Sequence, residues 1–328
     1  MGEIVKRAGV TIPLPGHLHS HKDRLHQLAD AGYTDLWSAE SDGSDGFTPL
    51  ALAAAWEPRL RLGTAIIPAY TRGPACMAQS VASMADAAPG RFAIGLGSSS
   101  NVIIEKWNDI PFVEPYRKTR DMVRFLKDAF TGEKIVKEYD TFKVNGFRLG
   151  VRPEVKPEIL VAGLREGMLK MAGRESDGAI INWLSPDDVR KVVAAVHEGS
   201  AGEPREIVAR LFVCPSENAE VVREAAKFLI AAYLNVEVYA KFHEWLGRGP
   251  RLQGMWDAWQ AGDRKAALAA IPDSVVDEIV VHGSLAKCRE TIERYYANGV
   301  TTTSLTIVPL DPAISYWDSI IGLSPSAS

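Results

Sequence analysis

An eight-stranded parallel β/α barrel is the fold class the sequence predicts, and three observations predict it. Eight short apolar runs recur along the 328 residues, with turn residues between them. Most runs are continuous rather than alternating, as expected of strands covered on both faces. Amphipathic helices fit the gaps, and strand alternating with helix eight times is the rhythm of a (β/α)8 barrel of TIM type. A doubly wound sheet with a second domain is the competing arrangement. The expectation is a single α/β domain over residues 1–328.

The runs are Ala8–Ile12, Asp35–Ala39, Leu62–Ile67, Phe92–Leu96, Ile159–Ala162, Ala179–Asn182, Ile207–Val213 and Thr303–Val308. Between the first two, Asp23–Ala31 places Leu25, Leu28 and Ala29 on one helical face. Pro74–Ala88 aligns Met77, Val81, Met84, Ala85 and Ala88, begins at a proline and is stopped by Pro89-Gly90. Leu285–Ala297 ends at the helix-stop pair Asn298-Gly299. Three stretches break the rhythm as insertions. Residues 98–114 form a long polar loop carrying Trp107, expected to help close the barrel mouth. Residues 135–149 alternate as a hairpin with Asn145-Gly146 as a turn signal. Residues 237–273 are helical in composition, carry Trp245, Trp256 and Trp259, and would cover the mouth or meet a partner subunit. The Pro/Ser tail Leu323–Ser328 reads as frayed.

Charge is nearly balanced, with 37 basic and 41 acidic residues, which argues against a general nucleic-acid binder. No apolar run approaches a membrane span, and Met1–Arg7 lacks the pattern of a signal peptide. Cys76, Cys214 and Cys288 are widely spaced and form no CxxC pair, so a reducing cytoplasm is expected and metal binding by these thiols is not. His17, His19 and His21 alternate in a loop with no matching carboxylates, which favours a substrate-side rim over a metal cluster.

In a parallel barrel the ligand site lies at the carboxyl ends of the strands. The third run leads into Pro68-Ala69-Tyr70-Thr71-Arg72, and the fourth ends in Gly95-Leu96-Gly97 followed by Ser98-Ser99-Ser100. The backbone of such a small-residue loop can lie against a flat ligand or a phosphate. It is not GxGxxG, so a Rossmann dinucleotide site is not indicated.

Leu62–Pro68, Arg72-Gly73-Pro74, Ala78-Gln79-Ser80 and Gly90–Gly97 together resemble the bacterial luciferase-like family of flavin and deazaflavin enzymes. Leu36–Ser41, Ala162–Gly173, Asp177-Gly178-Ala179, Val281–Ser284 and Asn298-Gly299-Val300 continue the likeness in order. Within it, Gly97-Ser98-Ser99 and the acidic end of the second strand are most similar to the branch that uses coenzyme F420. The resemblance implies a TIM-type barrel and hydride transfer between reduced deazaflavin and a small organic substrate. FMN with a separate reductase is the alternative, and a non-catalytic flavin-binding barrel a further one. A homodimer paired through outer helices is also implied.

By motif position, the resemblance places a bulged backbone, often with a cis non-proline peptide, behind the ring at Ala65, Ile66 and Ile67. Gly97, Ser98 and Ser99 meet the ribityl chain or ring edge. Gly163, Leu164, Arg165, Gly167 and Met168 open the fifth helix, whose free N–H groups and dipole would hold the cofactor phosphate. Relatives often have Gly-Pro where Arg165-Glu166 stands here. Arg165 would add a charge-assisted contact and Glu166 oppose it. Tyr70 and Arg72 lie in the third loop, where Arg72 would meet the cofactor's anionic tail or else be a solvated surface cation; Asn182 and Trp183 would touch the ring or ribityl hydroxyls, with core filling the alternative for Trp183. Glu40, Ser41 and His17 are the catalytic candidates. Glu40 would orient the ring's polar edge or a proton donor, or else pair with a rim cation. Ser41 stands where some relatives have a histidine base, so their acid–base scheme does not copy directly. His17 would act from the substrate-side rim as the proton donor.

Overall fold

A computed structural model of the chain describes residues 6–327. Met1–Val5, part of the segment read for a signal peptide, and Ser328 lie outside the described residues. Among the described residues there are twelve strands: β1 Arg7–Ile12, β2 Asp35–Ser38, β3 Arg61–Thr64, β4 Ile67–Pro68, β5 Phe92–Gly97, β6 Ile135–Glu138, β7 Lys143–Phe147, β8 Glu158–Ala162, β9 Gly178–Asn182, β10 Glu206–Cys214, β11 Val281–His282 and β12 Thr302–Ile307. The parallel ring runs β1, β2, β3 with β4, β5, β8, β9, β10, β12 and back to β1. Its eight members are the eight apolar runs. β11 adds a two-residue edge beside β10.

The helices are α1 Lys22–Asp30, α2 Thr48–Trp56, α3 Pro74–Ala87, α4 Pro115–Ala129, α5 Glu166–Glu175, α6 Val189–Gly199, α7 Ala219–Leu234, α8 Glu237–Trp245, α9 Gly249–Gln260, α10 Arg264–Ala269, α11 Asp273–Ile279, α12 Leu285–Ala297 and α13 Tyr316–Gly322. α3 starts at Pro74, where a missing N–H costs nothing, and buries Met77, Val81, Met84 and Ala85 on the predicted face. α12 is capped by Ser284, whose Oγ accepts the Lys287 N–H at 3.2 Å, and ends before Gly299 at φ +113°. Between strands and helices lies the main core, including Leu28, Leu36, Leu62, Val81 and Phe125, all inaccessible to solvent. Each such side chain contributes about 2 kcal/mol relative to exposure.

Inside the ring the side chains form tiers. At the floor Arg61 bonds Asp35 at 3.0 Å, Glu206 at 2.8 Å and also Glu158, while the Thr302 hydroxyl donates to Glu206 at 2.6 Å. Above it Trp37, Ala93, Leu160, Ile180 and Val208 pack as one buried cluster. Trp37 fits because its neighbours are glycines. A Cβ at Gly63 would lie 2.3 Å from the indole and one at Gly9 2.8 Å from it.

Two expectations need correction. The hairpin β6–β7 exists, but it turns at residues 139–142, where the Tyr139 N–H donates to the Phe142 carbonyl at 2.8 Å. Asn145-Gly146 lies within β7, and Gly146 at φ +88° is the extra residue of a bulge opposite Ile135/Val136. The tail is docked rather than frayed: Leu323 and Ser324 are buried, and the Ser326 N–H and hydroxyl both donate to the Ala31 carbonyl. Trp107 sits on a π-helical turn, Val102–Trp107, with 53% of its surface exposed.

Candidate functional site

The third barrel strand is interrupted where the site was expected. Gly63 pairs with Ala93 and Ile67 with Leu96, so this strand spends one more residue than its partner over the same rise. The surplus is absorbed at Ala65 and Ile66, which are joined by a cis peptide bond. Thr64 repairs the ladder: its Oγ1 accepts the Gly95 N–H at 2.8 Å and donates to the Gly95 carbonyl at 2.9 Å. Ala65 donates its N–H to Ser38 O at 2.6 Å, and Glu40 donates its own to Ile66 O at 3.1 Å.

Exposure returns at the C-terminal tips of the strands. Thr11, Ala39, Ala65, Ile66, Ala162, Asn182, Arg210 and Thr306 are all half-buried, whereas the tier around Trp37 beneath them is sealed. They outline an open trough in the barrel mouth. Its wall from β3 to β8 is small and apolar. A Cβ added at Gly97 would stand 3.1 Å from Ile66 Cδ1 and 3.2 Å from the Ala162 methyl, so glycine there keeps the wall low. The opposite wall is polar. Thr11 Oγ1 meets Ser304 Oγ at 2.9 Å and Thr306 Oγ1 at 2.8 Å, Arg210 Nε donates to Thr306 Oγ1 at 3.1 Å, and Asn182 Nδ2 donates to the Tyr239 hydroxyl at 3.4 Å.

The loops at the rim are pinned to one another. Arg72 Nη1 reaches both Glu40 oxygens at 2.8 Å, Thr71 donates to Glu40 Oε1 at 3.2 Å, and the Gly46 N–H donates to Glu40 Oε2 at 3.2 Å. This ion pair is four-fifths buried and clips the loop after β2 to the loop after β4. Tyr70 is buried, donates to the Val113 carbonyl at 2.6 Å and packs on Phe112, so it anchors the first insertion; burial pushes its hydroxyl up to about 12. Ser98, Ser99 and Ser100 are half-buried, with Ser99 at φ +62°. Trp183 also adopts positive φ, +54°, and stacks on Phe212 beneath Tyr233. Left-handed backbone at non-glycine residues is sparsely populated and gathers at ligand sites. The third insertion lies over this polar side: α8 supplies Tyr239, and Trp256 donates to Leu234 O at 2.9 Å.

The remaining candidates are dispersed. Gly163 is buried beneath the first turn of α5, where a Cβ would meet Leu169 within 3.1 to 3.3 Å. Leu164 and Met168 are half-buried, and Arg165, Glu166 and Gly167 are exposed at that helix opening. No side chain caps it. Glu166 bonds Lys170 at 2.6 Å, and that hydrogen bond holds its carboxyl below the ordinary range. Ile67 is fully buried and turned into the outer core. His17 lies on an exposed loop with its ring stacked on His19 at 5.6 Å, and the Ser41 hydroxyl donates to Asp42 Oδ1 at 3.0 Å. No hydrogen bond joins Glu40, Ser41 and His17 among the described residues. No group of three or more His, Cys, Asp or Glu side chains among the described residues suits a metal ion, and no described helix is long and apolar enough to cross a membrane. Arg210, Thr11 and Thr306 were missed; the legible signal was a cation inside the apolar run Ile207–Val213.

Residues 4–302 match the luciferase-like monooxygenase family. A 5,10-methylenetetrahydromethanopterin reductase of Methanolobus tindarius is 25% identical over 280 residues, covering 82% of this chain and 84% of that protein. The coenzyme F420 dependent tetrahydromethanopterin reductase of Methanopyrus kandleri superposes with TM-score 0.80 at 19% identity, covering 98% of both chains. The oxygenating constituent of 3,6-diketocamphane monooxygenase from Pseudomonas putida, solved in complex with FMN, superposes with TM-score 0.67 at 14% identity, again over 98% of both.

Proposed function

The chain belongs to the luciferase-like monooxygenase family, and on that premise we propose that it is an F420-dependent oxidoreductase acting on a small organic substrate. One observation carries the reading: a trough at the strand tips whose one wall, Ala65, Ile66, Gly97 and Ala162, is low and apolar enough to back a planar ring. When bound, the deazaflavin supplies the hydride-carrying carbon, and the protein supplies position and protons.

Several features support this assignment. The bulged backbone at Ala65–Ile66 would back the ring, with Gly97, Ser98 and Ser99 along its edge and ribityl chain. The uncapped first turn of α5 offers N–H groups to the phosphate, and Arg165 adds a positive charge. The Lys170 pair offsets the negative charge of Glu166 beside them. Glu40 is assigned to orienting the ring edge and relaying a proton, because its backbone is bonded to the bulge and Thr71 and Gly46 fix its carboxylate. His17 and Ser41, on exposed chain, are assigned to the substrate-side rim.

Anaerobic mixing of the protein and reduced F420 with ketones, activated alkenes and imines tests the reading. Oxidised F420 should appear with at least one acceptor, at the same rate with or without dioxygen. Turnover that requires reduced FMN and dioxygen would contradict it in favour of a monooxygenase. F420 binding without oxidation by any acceptor would point to a non-catalytic barrel.

A further inference from the structure

We propose that Arg210 forms an oxyanion subsite in the barrel mouth, and that the substrate carries a carboxylate which this residue binds. Arg210 belongs to the part of β10 that faces the barrel interior: Val208, two residues earlier, packs in the inner cluster with Trp37. It stands in register with Asn182 of β9 on one side and Ser304 of β12 on the other. Its Nε is committed to Thr306 Oγ1 at 3.1 Å, and its guanidinium carbon lies 5.3 Å from the Phe212 ring centroid, so the planar head is fixed. Neither Nη makes a hydrogen bond to a described residue, and neither is sealed from solvent. No described carboxylate lies within 4.0 Å of the guanidinium.

That lack of a carboxylate partner distinguishes Arg210 from the other inward-facing or rim arginines. Arg61 is satisfied by three carboxylates, and Arg72 by Glu40. The groups beside Arg210 are neutral: Thr306 at its Nε, Asn182 and Ser304 in register, and Tyr233 and Tyr239. Burial depresses its basicity and the two tyrosines oppose that effect, yet an arginine keeps its proton in proteins. A half-buried cation held at Nε by Thr306, with both Nη groups lacking a protein partner at the strand tips, is suited to a bidentate carboxylate. It lies on the polar wall, across from the apolar wall assigned to the ring, so an anion held there would belong to the second reactant. Naming that anion as substrate rests on the proposed function; the anion site itself does not.

The test uses benzoate as the probe and benzamide as its neutral isostere. Ligand-observed NMR follows both on the wild type, Arg210→Met and Arg210→Lys, with and without saturating F420, beside an F420 titration of each protein. Benzoate should bind the wild type, bind Arg210→Met about tenfold more weakly, a loss of about 1.4 kcal/mol, and bind Arg210→Lys at an intermediate level. Benzamide and F420 affinities should be unchanged. The proposal is overturned if the wild type ignores benzoate, if Arg210→Met or a folded Arg210→Lys binds it like the wild type, or if Arg210→Met instead loses F420. Arg210-dependent benzoate binding in a protein that binds no F420 would sink the cofactor assignment and leave the anion site standing.

Discussion

Glu57 is a buried carboxylate whose partners set a limit on acid stability. It accepts the Arg59 Nε at 2.8 Å, the Arg59 N–H at 2.9 Å and His26 Nδ1 at 2.8 Å. Led by the Arg59 hydrogen bond, these hold its pKa at about 2 instead of 4.5. A depressed carboxyl contributes stability that is fully present above the unfolded value and lost as pH falls through the folded one. Urea midpoints should therefore drop between about pH 4.5 and 2, and Glu57→Gln should flatten that part of the profile, being less stable than wild type at neutral pH. An identical profile would remove Glu57 from the acid response. Individual residues were unevenly legible. Glu40 could be assigned to the rim from its place after Trp37 and Ala39, but nothing local announced Arg72 as its partner, because the pair closes between two loops. Arg210 was hidden differently: the run Ile207–Val213 showed a buried strand, and its one charge acquires meaning only once the strand tips are known to open inward.

At the level of elements, periodicity located the strands and caps located the ends of α3 and α12. What it could not reveal is how chain is spent within an element. Leu62–Ile67 reads as one uninterrupted apolar run, yet its surplus residue at Ala65–Ile66 turns two side chains into the mouth. Asn145-Gly146 posed the converse problem, since both a tight hairpin turn and a bulge demand the left-handed backbone that glycine supplies. The strand register decides for the bulge. Gly146→Ala should cost about 1 kcal/mol, the penalty of forcing a Cβ into positive φ, and leave F420 affinity unchanged. Equal stability in urea would show that the hairpin can discard the bulge.

Over the whole molecule, barrel topology brings together residues that no local motif links. The apolar wall comes from β3 to β8 and the polar wall from β9 through β12 to β1, so the trough exists only because the ring closes. That closure was legible from eight apolar runs; the division of its mouth into two chemistries was not, because it depends on inward parity around the ring. Whether the apolar half of this mouth receives a deazaflavin ring, as proposed, is decided by titrating the purified protein with oxidised F420 and with FMN, beside Ala162→Phe. Tighter binding of F420 than FMN by the wild type, with F420 affinity lowered by at least about tenfold in a folded Ala162→Phe, is the predicted result. A preference for FMN, or F420 binding indifferent to the added ring, would contradict it.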